Sequence, residues 1–215
     1  MRLFQSHGPN PRVVSFFLAE KGLEIERAWI DVVKGENRQA AYLGRNPSGG
    51  VPVLELDDGT HIPDSVAICE YLEERHPAPP LIGPTPEARA ATRAALRRVD
   101  HTVLVPLANG FRSAEGLPMF KDRVFCSPDA AAGNKAYAAD GLRQFDALLG
   151  AQQFVAGDRF TLADIVLFCF VEFAGQVGQP PDPALAQLKC WRDEVAARPG
   201  ASVSANPKHG LQEAA

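Results

Sequence analysis

The sequence has no excess of positive charge. Its 215 residues include 22 lysines and arginines against 26 aspartates and glutamates, a net charge of −4. Proteins that bind nucleic acid through its phosphates need a basic surface, so we expect no nucleic-acid partner. With 46% apolar and 22% charged residues, the composition is that of a globular protein rather than a disordered one.

Long apolar runs are also missing. The longest, residues 165–171, is about a third of the roughly 20 residues that a membrane-spanning helix requires. Residues 1–8 contain neither the apolar core nor the small-residue cleavage site of a signal peptide. We therefore expect a cytoplasmic protein with no membrane partner.

Paired cysteines are absent as well. The four cysteines lie far apart in the sequence, at Cys69, Cys126, Cys169 and Cys190. Because metal sites and dithiol redox sites usually place cysteines two residues apart, we expect neither in this chain. Scattered cysteines in a chain of this length are typical of reduced, mostly buried thiols in a cytosolic protein.

The sequence does show a change of character near residue 78. Residues 76–86 hold five prolines, and proline removes a backbone donor and disfavours helix at the residue before it. The length allows one to two domains. We predict four parts: an α/β domain at 1–78, a linker at 79–86, an all-helical domain at 87–200 and a polar tail at 201–215.

Strand and helix patterns alternate in the first part. Apolar residues at 13, 14, 17 and 18 form one face of a helix, which Gly22 is expected to end. Asp57, Asp58 and Gly59 predict a hairpin turn, and Ser65 is expected to cap the next helix. Four strands are predicted, at residues 2–5, 25–32, 51–56 and 60–62.

Beyond residue 86 the pattern is helical, with no convincing strand. Pro106 is expected to kink or end the helix in which it lies. The most apolar helix begins near residue 160, where Thr161 and Asp164 form a capping box. A helix that is apolar on nearly all sides is expected to be central and buried.

Four segments, in the correct order along residues 1–200, resemble motifs of the cytosolic glutathione transferase family. They are Asn46-Pro-Ser-Gly-Gly-Val-Pro-Val-Leu54, Ile62-Pro-Asp-Ser-Val-Ala-Ile68, Phe160-Thr-Leu-Ala-Asp-Ile165, and Leu188-Lys-Cys-Trp191 followed by Arg198-Pro199. The resemblance implies a thioredoxin-like α/β N-terminal domain followed by an all-α helical C-terminal domain.

The resemblance also implies how the co-substrate glutathione would bind. A cis bond between Val51 and Pro52 would turn the Val51 backbone toward the cysteinyl part of the tripeptide. Asp64 and Ser65 would lie at a helix N-terminus, whose amides suit the γ-glutamyl carboxylate. Asn37 would meet the glycyl carboxylate. Two positions depart from the family pattern: Gly50, where some classes have Lys or Gln, and Asp64, where Glu or Gln is commoner.

The family stabilises the glutathione thiolate with a Tyr, Ser or Cys in the loop before the first helix. This loop has neither Tyr nor Cys. The Pro9-Asn10 pair resembles the nu-class branch of bacteria and fungi, in which an Asn and a backbone amide face the thiol. Asn10 is therefore the first candidate for the catalytic residue and Ser6 the second. The alternative for Asn10 is a turn or helix-capping role.

Phe111, Met119 and Phe120 are candidates for an apolar electrophile pocket. The alternative interpretation makes them core or dimer contacts.

The expected activity is a glutathione S-transferase that directs the thiolate to a hydrophobic electrophile. A glutathione-dependent disulfide or peroxide reductase, or a non-catalytic binding protein on the same fold, remains an alternative. The resemblance and the apolar helix face of Leu96, Val99 and Val103 predict a homodimer.

Overall fold

The computed structural model describes residues 1–211, which fall into two compact units. The first unit is formed by residues 1–81 together with residues 197–211, and the second by residues 82–196. The first is α/β and the second is all-helical, which confirms the fold class expected from the motifs. Within residues 1–211 no helix is both long and apolar enough to cross a membrane.

The first unit is built on a sheet with strand order β2-β1-β3-β4. β1 pairs in parallel with β2, while β1 with β3 and β3 with β4 are antiparallel. A 3₁₀ turn spans Glu36–Arg38. The elements before residue 82 are β1 (Arg2–Gln5), α1 (Pro9–Lys21), β2 (Glu26–Trp29), α2 (Ala40–Leu43), β3 (Val53–Glu55), β4 (His61–Pro63) and α3 (Ser65–Arg75).

α1 packs its apolar residues into the centre of this unit. Val13, Val14, Phe17 and Leu18 are all fully buried, as the spacing predicts. Gly22 ends the helix in the left-handed conformation, with φ 63°, and its amide donates to the carbonyl of Ala19.

A buried ion pair joins the C-terminal ends of α1 and α3. Lys21 pairs with Glu73, and both side chains are almost completely buried. The Lys21 Nζ also donates to the carbonyls of His76 (2.7 Å) and Pro79 (2.6 Å), while the Leu81 amide donates to Glu73 (3.3 Å). The proline-rich segment is therefore anchored by side chains, because its own prolines supply no donors.

The second unit begins with two helices separated by a π-helical turn at Asp100–Leu104. Pro106 lacks the N–H that would bond the Thr102 carbonyl, and this carbonyl lies where a Cβ on Gly141 would be only 2.2 Å away. The helices of the unit are α4 (Pro86–Val99), α5 (Val105–Arg112), α6 (Leu117–Phe120), α7 (Ala131–Leu149), α8 (Leu162–Gln176) and α9 (Ala186–Ala196).

The homodimer remains a prediction, but the helix face expected to contribute to it is not exposed. Leu96, Val99 and Val103 do share a face, but they are 3%, 0% and 1% exposed within a single chain. The apolar face lies in the core of the helical unit, so it is not available to a second subunit.

α8 is the central helix of this unit, and 11 of its 15 residues are buried. Its capping box is present: the Thr161 hydroxyl accepts from the Ala163 amide (3.2 Å), and Asp164 Oδ2 accepts from the Thr161 amide (2.9 Å). Asp164 Oδ1 also accepts from the Val155 amide (2.9 Å) and from Nε1 of Trp191 (3.0 Å).

The C-terminal part of the first unit contains α10 (Pro199–Ala205), which begins at the end of the predicted helical domain and continues into the predicted tail. α10 packs against α1, and a Cβ on Gly200 would lie 2.4 Å from the Phe16 ring. Arg198 pairs with Glu20 at 2.6 Å. The glycine at position 200 is what allows this close approach of α10 to α1.

Candidate functional site

Two helix N-termini of the first unit are joined by one hydrogen bond. The Ser65 hydroxyl at the start of α3 donates to Oδ1 of Asn10 in the first turn of α1, at 3.2 Å. These two candidate residues lie 55 positions apart in the sequence. The structure therefore brings together the predicted thiol site and the predicted γ-glutamyl site.

The first turn of α1 offers few backbone donors. A helix normally presents free N–H groups at its start, but Pro9 and Pro11 have none. The Arg12 amide donates to the carbonyl of Gly8, at 3.3 Å. Within residues 1–211 the Asn10 N–H donates to no backbone carbonyl, so Asn10 supplies the free amide of this turn.

The Asn10 side chain is oriented by Ser65. Because its Oδ1 accepts from the Ser65 hydroxyl, its Nδ2 is turned elsewhere and remains a donor. Asn10 is partly exposed and Ser65 is buried. Asn10 thus combines a main-chain and a side-chain donor at one helix N-terminus, the pattern that stabilises an anion.

Ser6, the second catalytic candidate, lies just beyond the end of β1. It is 1% exposed, and within the described residues its hydroxyl has no hydrogen-bond partner. A molecule at the surface of this unit would reach Asn10 more readily than Ser6.

The cap of α3 is Asp64 rather than Ser65, which is the first residue of the helix. Asp64 Oδ1 accepts from the amides of Val66 (2.9 Å) and Ala67 (3.1 Å). Its backbone has φ 77° and ψ 132°, a positive φ that residues other than glycine seldom adopt. Asp64 is exposed, so its carboxylate both caps the helix and faces solvent.

The segment before β3 is fixed by hydrogen bonds from Tyr42 and Asn46. The Val51–Pro52 bond is cis, as the resemblance implies. The carbonyl of Gly50 accepts from Tyr42 Oη (2.8 Å) and from Asn46 Nδ2 (2.9 Å). Burial raises the pKa of Tyr42, which keeps this phenol protonated and able to donate.

Asn37 lies in the 3₁₀ turn and is buried beside the same segment. Its Nδ2 donates to the carbonyl of Gly49 (2.7 Å), and within the described residues its Oδ1 has no partner. Asn37 therefore supports the backbone before Val51.

A further residue beside this segment is Arg38, which belongs to none of the sequence motifs. Its Nη1 donates to the carbonyl of Ser48 (3.0 Å) and would lie 2.9 Å from a Cβ on Gly49. Two features of the sequence indicate this residue. Arg38 is the basic residue next to Asn37, and Gly50 has no side chain that could take its place. Arg38 thus places a cation beside the segment that contains Gly50, the position where some classes of the resembled family have Lys or Gln.

Phe111, Met119 and Phe120 lie in the second unit, where the structure brings the two aromatic rings together. The rings of Phe111 and Phe120 are 5.9 Å apart, and those of Phe111 and Phe173 are 5.4 Å apart, in edge-to-face geometry. Phe111, Met119 and Phe120 are all partly exposed. They form an apolar cluster that keeps some accessible surface.

No candidate metal site accompanies these groups. Among residues 1–211 no three His, Cys, Asp or Glu side chains are grouped so that they could hold an ion.

Comparison with known proteins identifies relatives along most of the chain. Two family models match: glutathione S-transferase, N-terminal domain, over residues 7–75, and glutathione S-transferase, C-terminal domain, over residues 126–199. Glutathione S-transferase 2 of Saccharomyces cerevisiae is 31% identical over 194 residues, covering 89% of this chain and 83% of the relative.

Two further relatives have similar coverage. Maleylacetoacetate isomerase of Pseudomonas aeruginosa is 35% identical over 86% of each chain. A crystal structure of a glutathione S-transferase domain-containing protein from Marinobacter aquaeolei VT8 superposes with a TM-score of 0.88 at 34% identity, covering 94% of this chain and 100% of that one.

Proposed function

The chain belongs to the glutathione S-transferase family, and we propose that it transfers the glutathione thiolate to a hydrophobic electrophile. The observation that carries the proposal is the pair of donors that Asn10 presents at the start of α1. A thiol has a pKa of about 8.5, so a transferase must favour the anion to be active at neutral pH.

Asn10 is the proposed catalytic residue, as the Asn-type branch of the family also suggests. Its N–H and its Nδ2 would both donate to the glutathione sulfur. A hydrogen bond to a charged group contributes about 1.5–3 kcal/mol, which corresponds to roughly one to two pKa units for one donor. The two prolines beside Asn10 make the site depend on this residue, since they add no amides of their own.

The rest of the tripeptide would be held by three groups of residues. The Val51 backbone, beside Pro52, would pair with the cysteinyl unit. Ser65 and the exposed carboxylate of Asp64 would meet the γ-glutamyl end, with Asp64 facing its ammonium group. The glycyl carboxylate would lie near Asn37 and Arg38. Arg38 supports this arrangement because it offers a cation at a segment where Gly50 has none.

The electrophile would be apolar, and the partly exposed cluster of Phe111, Met119 and Phe120 is the proposed surface for it. The transfer needs no metal. The relative named maleylacetoacetate isomerase favours a second candidate, an isomerase activity, so both reactions belong in the first assay.

A cytoplasmic homodimer is part of this proposal. The exposed side of α4 carries Ala90, Ala91 and Ala94 together with Arg93, which is a surface that a second copy can approach closely. Light scattering should give twice the mass of one chain, and the mass of a single chain would contradict the dimer.

The proposed function is tested by retention on a glutathione column, by turnover with chlorodinitrobenzene, and by ultraviolet titration of the bound thiol. Asn10→Ala should raise the pKa of the bound thiol by about one to two units and lower turnover at neutral pH about ten- to a hundredfold. Glutathione affinity should change little.

Asn10→Asp is the matched control, because it keeps the acceptor for Ser65 but replaces the donor with an anion. It should fold normally and be at least as inactive as Asn10→Ala. Ser6→Ala should have the smaller effect, since Ser6 is buried. A titration that moves with Ser6→Ala and not with Asn10→Ala would reject Asn10 as the thiolate donor.

A further inference from the structure

The C-terminal segment, residues 206–211, is tied to the end of β1 by a buried amide. Gln5 is 1% exposed, and its Nε2 donates to the carbonyl of Pro207 at 3.0 Å. Its Oε1 accepts from Ser15 Oγ (3.3 Å) and from Arg27 Nη1 (3.2 Å). Since the oxygen is already engaged, the orientation of the Gln5 amide is set and its N–H is directed at the C-terminal segment.

The next residue of this segment contacts an aromatic ring at the end of β2. Nζ of Lys208 lies 5.6 Å from the centre of the Trp29 ring, within the range of a cation–π interaction. Trp29 also meets His7 edge to face, with ring centres 4.7 Å apart. We call these three side chains, Lys208, Trp29 and His7, the stack. Because β1 and β2 are parallel and Gln5 pairs with Trp29, the stack lies at the carboxyl ends of both strands.

The stack ends on the loop that leads into α1. His7 lies between the buried Ser6 and Gly8, whose φ of 126° is open only to glycine among ordinary residues. Gly8 is the N-cap of α1, and its carbonyl accepts from the Arg12 amide. The turn at Gly8 is therefore specific to glycine, and the geometry of this loop decides where the first turn of α1 points its donors.

The base of the C-terminal segment is fixed independently. α10 lies against α1 with Gly200 on the Phe16 ring, and Arg198 pairs with Glu20. The C-terminal segment therefore begins at an anchored helix, and the contact between Lys208 and Trp29 is made by a chain that is fixed at its base.

We propose that the C-terminal segment supports the thiol site. Lys208 contacts Trp29, Trp29 contacts His7, and together these contacts hold the loop before Asn10 in place. Lys208, Trp29 and His7 are positioning residues, because none of them is required to touch the sulfur. This inference rests on the proposed function. It assigns to the C-terminal segment, residues 206–211, a role in turnover rather than in glutathione affinity.

The test compares Lys208→Ala with Lys208→Arg. Lys208→Ala should lower kcat about three- to tenfold, with KM for glutathione unchanged within about twofold. Lys208→Arg should restore most of the rate, because a guanidinium keeps the cation over the indole ring. A chain ending at Ala205 should lose at least as much activity as Lys208→Ala. Lys189→Ala, at an exposed lysine of α9, is the matched control and should be neutral.

A second readout follows the stack without any ligand. The protein has two tryptophans, so its indole N–H region in a ¹H–¹⁵N spectrum contains two signals. Lys208→Ala should shift the signal of Trp29 and leave that of Trp191, which is buried on Asp164, in place. If the Trp29 signal does not change in Lys208→Ala, Lys208 does not contact the Trp29 ring and the inference is wrong.

Two outcomes separate the inference from the proposed function. If Lys208→Ala shifts the Trp29 signal but turns glutathione over as fast as the wild type, only the inference is wrong. If the wild-type chain neither binds nor turns over glutathione, the proposed function fails and the inference falls with it.

Discussion

An aspartate caps a helix N-terminus in each of the two units, and the two aspartates differ mainly in burial. Asp164 in the first turn of α8 is completely buried, and its carboxylate accepts from Val155, Thr161 and Trp191. Asp64 at the start of α3 is exposed, and one of its oxygens accepts from two amides of its own helix. The same capping chemistry therefore serves the fold in one unit and leaves a carboxylate available to a ligand in the other.

Burial also affects the protonation of Asp164. Burial raises the pKa of Asp164 to about 6, and the hydrogen bonds from Val155, Thr161 and Trp191 oppose but do not cancel this effect. A buried carboxylate thus responds to pH through the stability of the fold, whereas a change at Asp64 should be detected mainly in binding.

The largest effect is expected from Asp164→Ala. The substitution leaves the amides of Val155 and Thr161 and the Trp191 indole without an acceptor, so the free energy of unfolding should fall by about 3 kcal/mol or more. Urea unfolding measures the change. Asp182→Ala removes an exposed carboxylate that accepts from the Ala184 amide, and this control should cost less than about 1 kcal/mol. Equal losses for the two variants would contradict the comparison.

The second prediction concerns pH. Because the pKa of Asp164 in the folded state is above its ordinary 3.8, the native state binds this proton more tightly than the unfolded state. The contribution to stability is therefore complete below about pH 4 and is lost as the pH rises through about 6, a total of roughly 3 kcal/mol. Asp164→Asn lacks this proton, so its deficit relative to the wild type should shrink over that range. Parallel stability curves would contradict the raised pKa.

At Asp64 we expect a small effect on stability and a larger effect on glutathione binding. Asp64→Asn keeps an oxygen for the cap and tolerates the positive φ, so the melting temperature should change little. Loss of the charge facing the ligand's ammonium group should weaken glutathione binding about tenfold, measured by calorimetry. Asp64→Ala should add a loss of about 1 kcal/mol of stability. Unchanged affinity in Asp64→Asn would reduce this residue to a structural cap.

The smallest effect is expected from Ser65→Ala. The substitution removes the hydroxyl that orients Asn10, but the Asn10 donors remain. Stability should fall by about 0.5–1 kcal/mol, and turnover should fall about two- to fourfold. Ser65→Thr keeps the hydroxyl and should retain the wild-type rate; equal losses in both variants would point to crowding at α3 instead of the hydrogen bond.

Local patterns predicted the elements of the first unit well where the chain's own residues decide them. β1 has the bounds expected, and α1 is ended by Gly22 as expected. β2 is shorter than the predicted residues 25–32, because each of its four residues pairs with one of β1 and β1 offers no more. Strand length is thus set by the partner strand, which the local pattern does not contain.

Two other differences have the same origin. The spacing of Leu96, Val99 and Val103 predicted an apolar face, but periodicity does not say whether that face meets the same chain or another one. α10 continues into the predicted tail, because its contact with Phe16 depends on α1, far away in the sequence.

The candidate site divides in the same way. The sequence alone, through its motifs, determined the family, the fold class and the candidates Asn10, Asn37, Asp64 and Ser65. Only the tertiary structure decided that Ser65 orients Asn10, that Arg38 lies beside Gly49, and that Lys208 reaches Trp29. The physical reason is that motifs and periodicity report local backbone preferences and burial, whereas hydrogen bonds and ring contacts between distant residues exist only after the chain has packed.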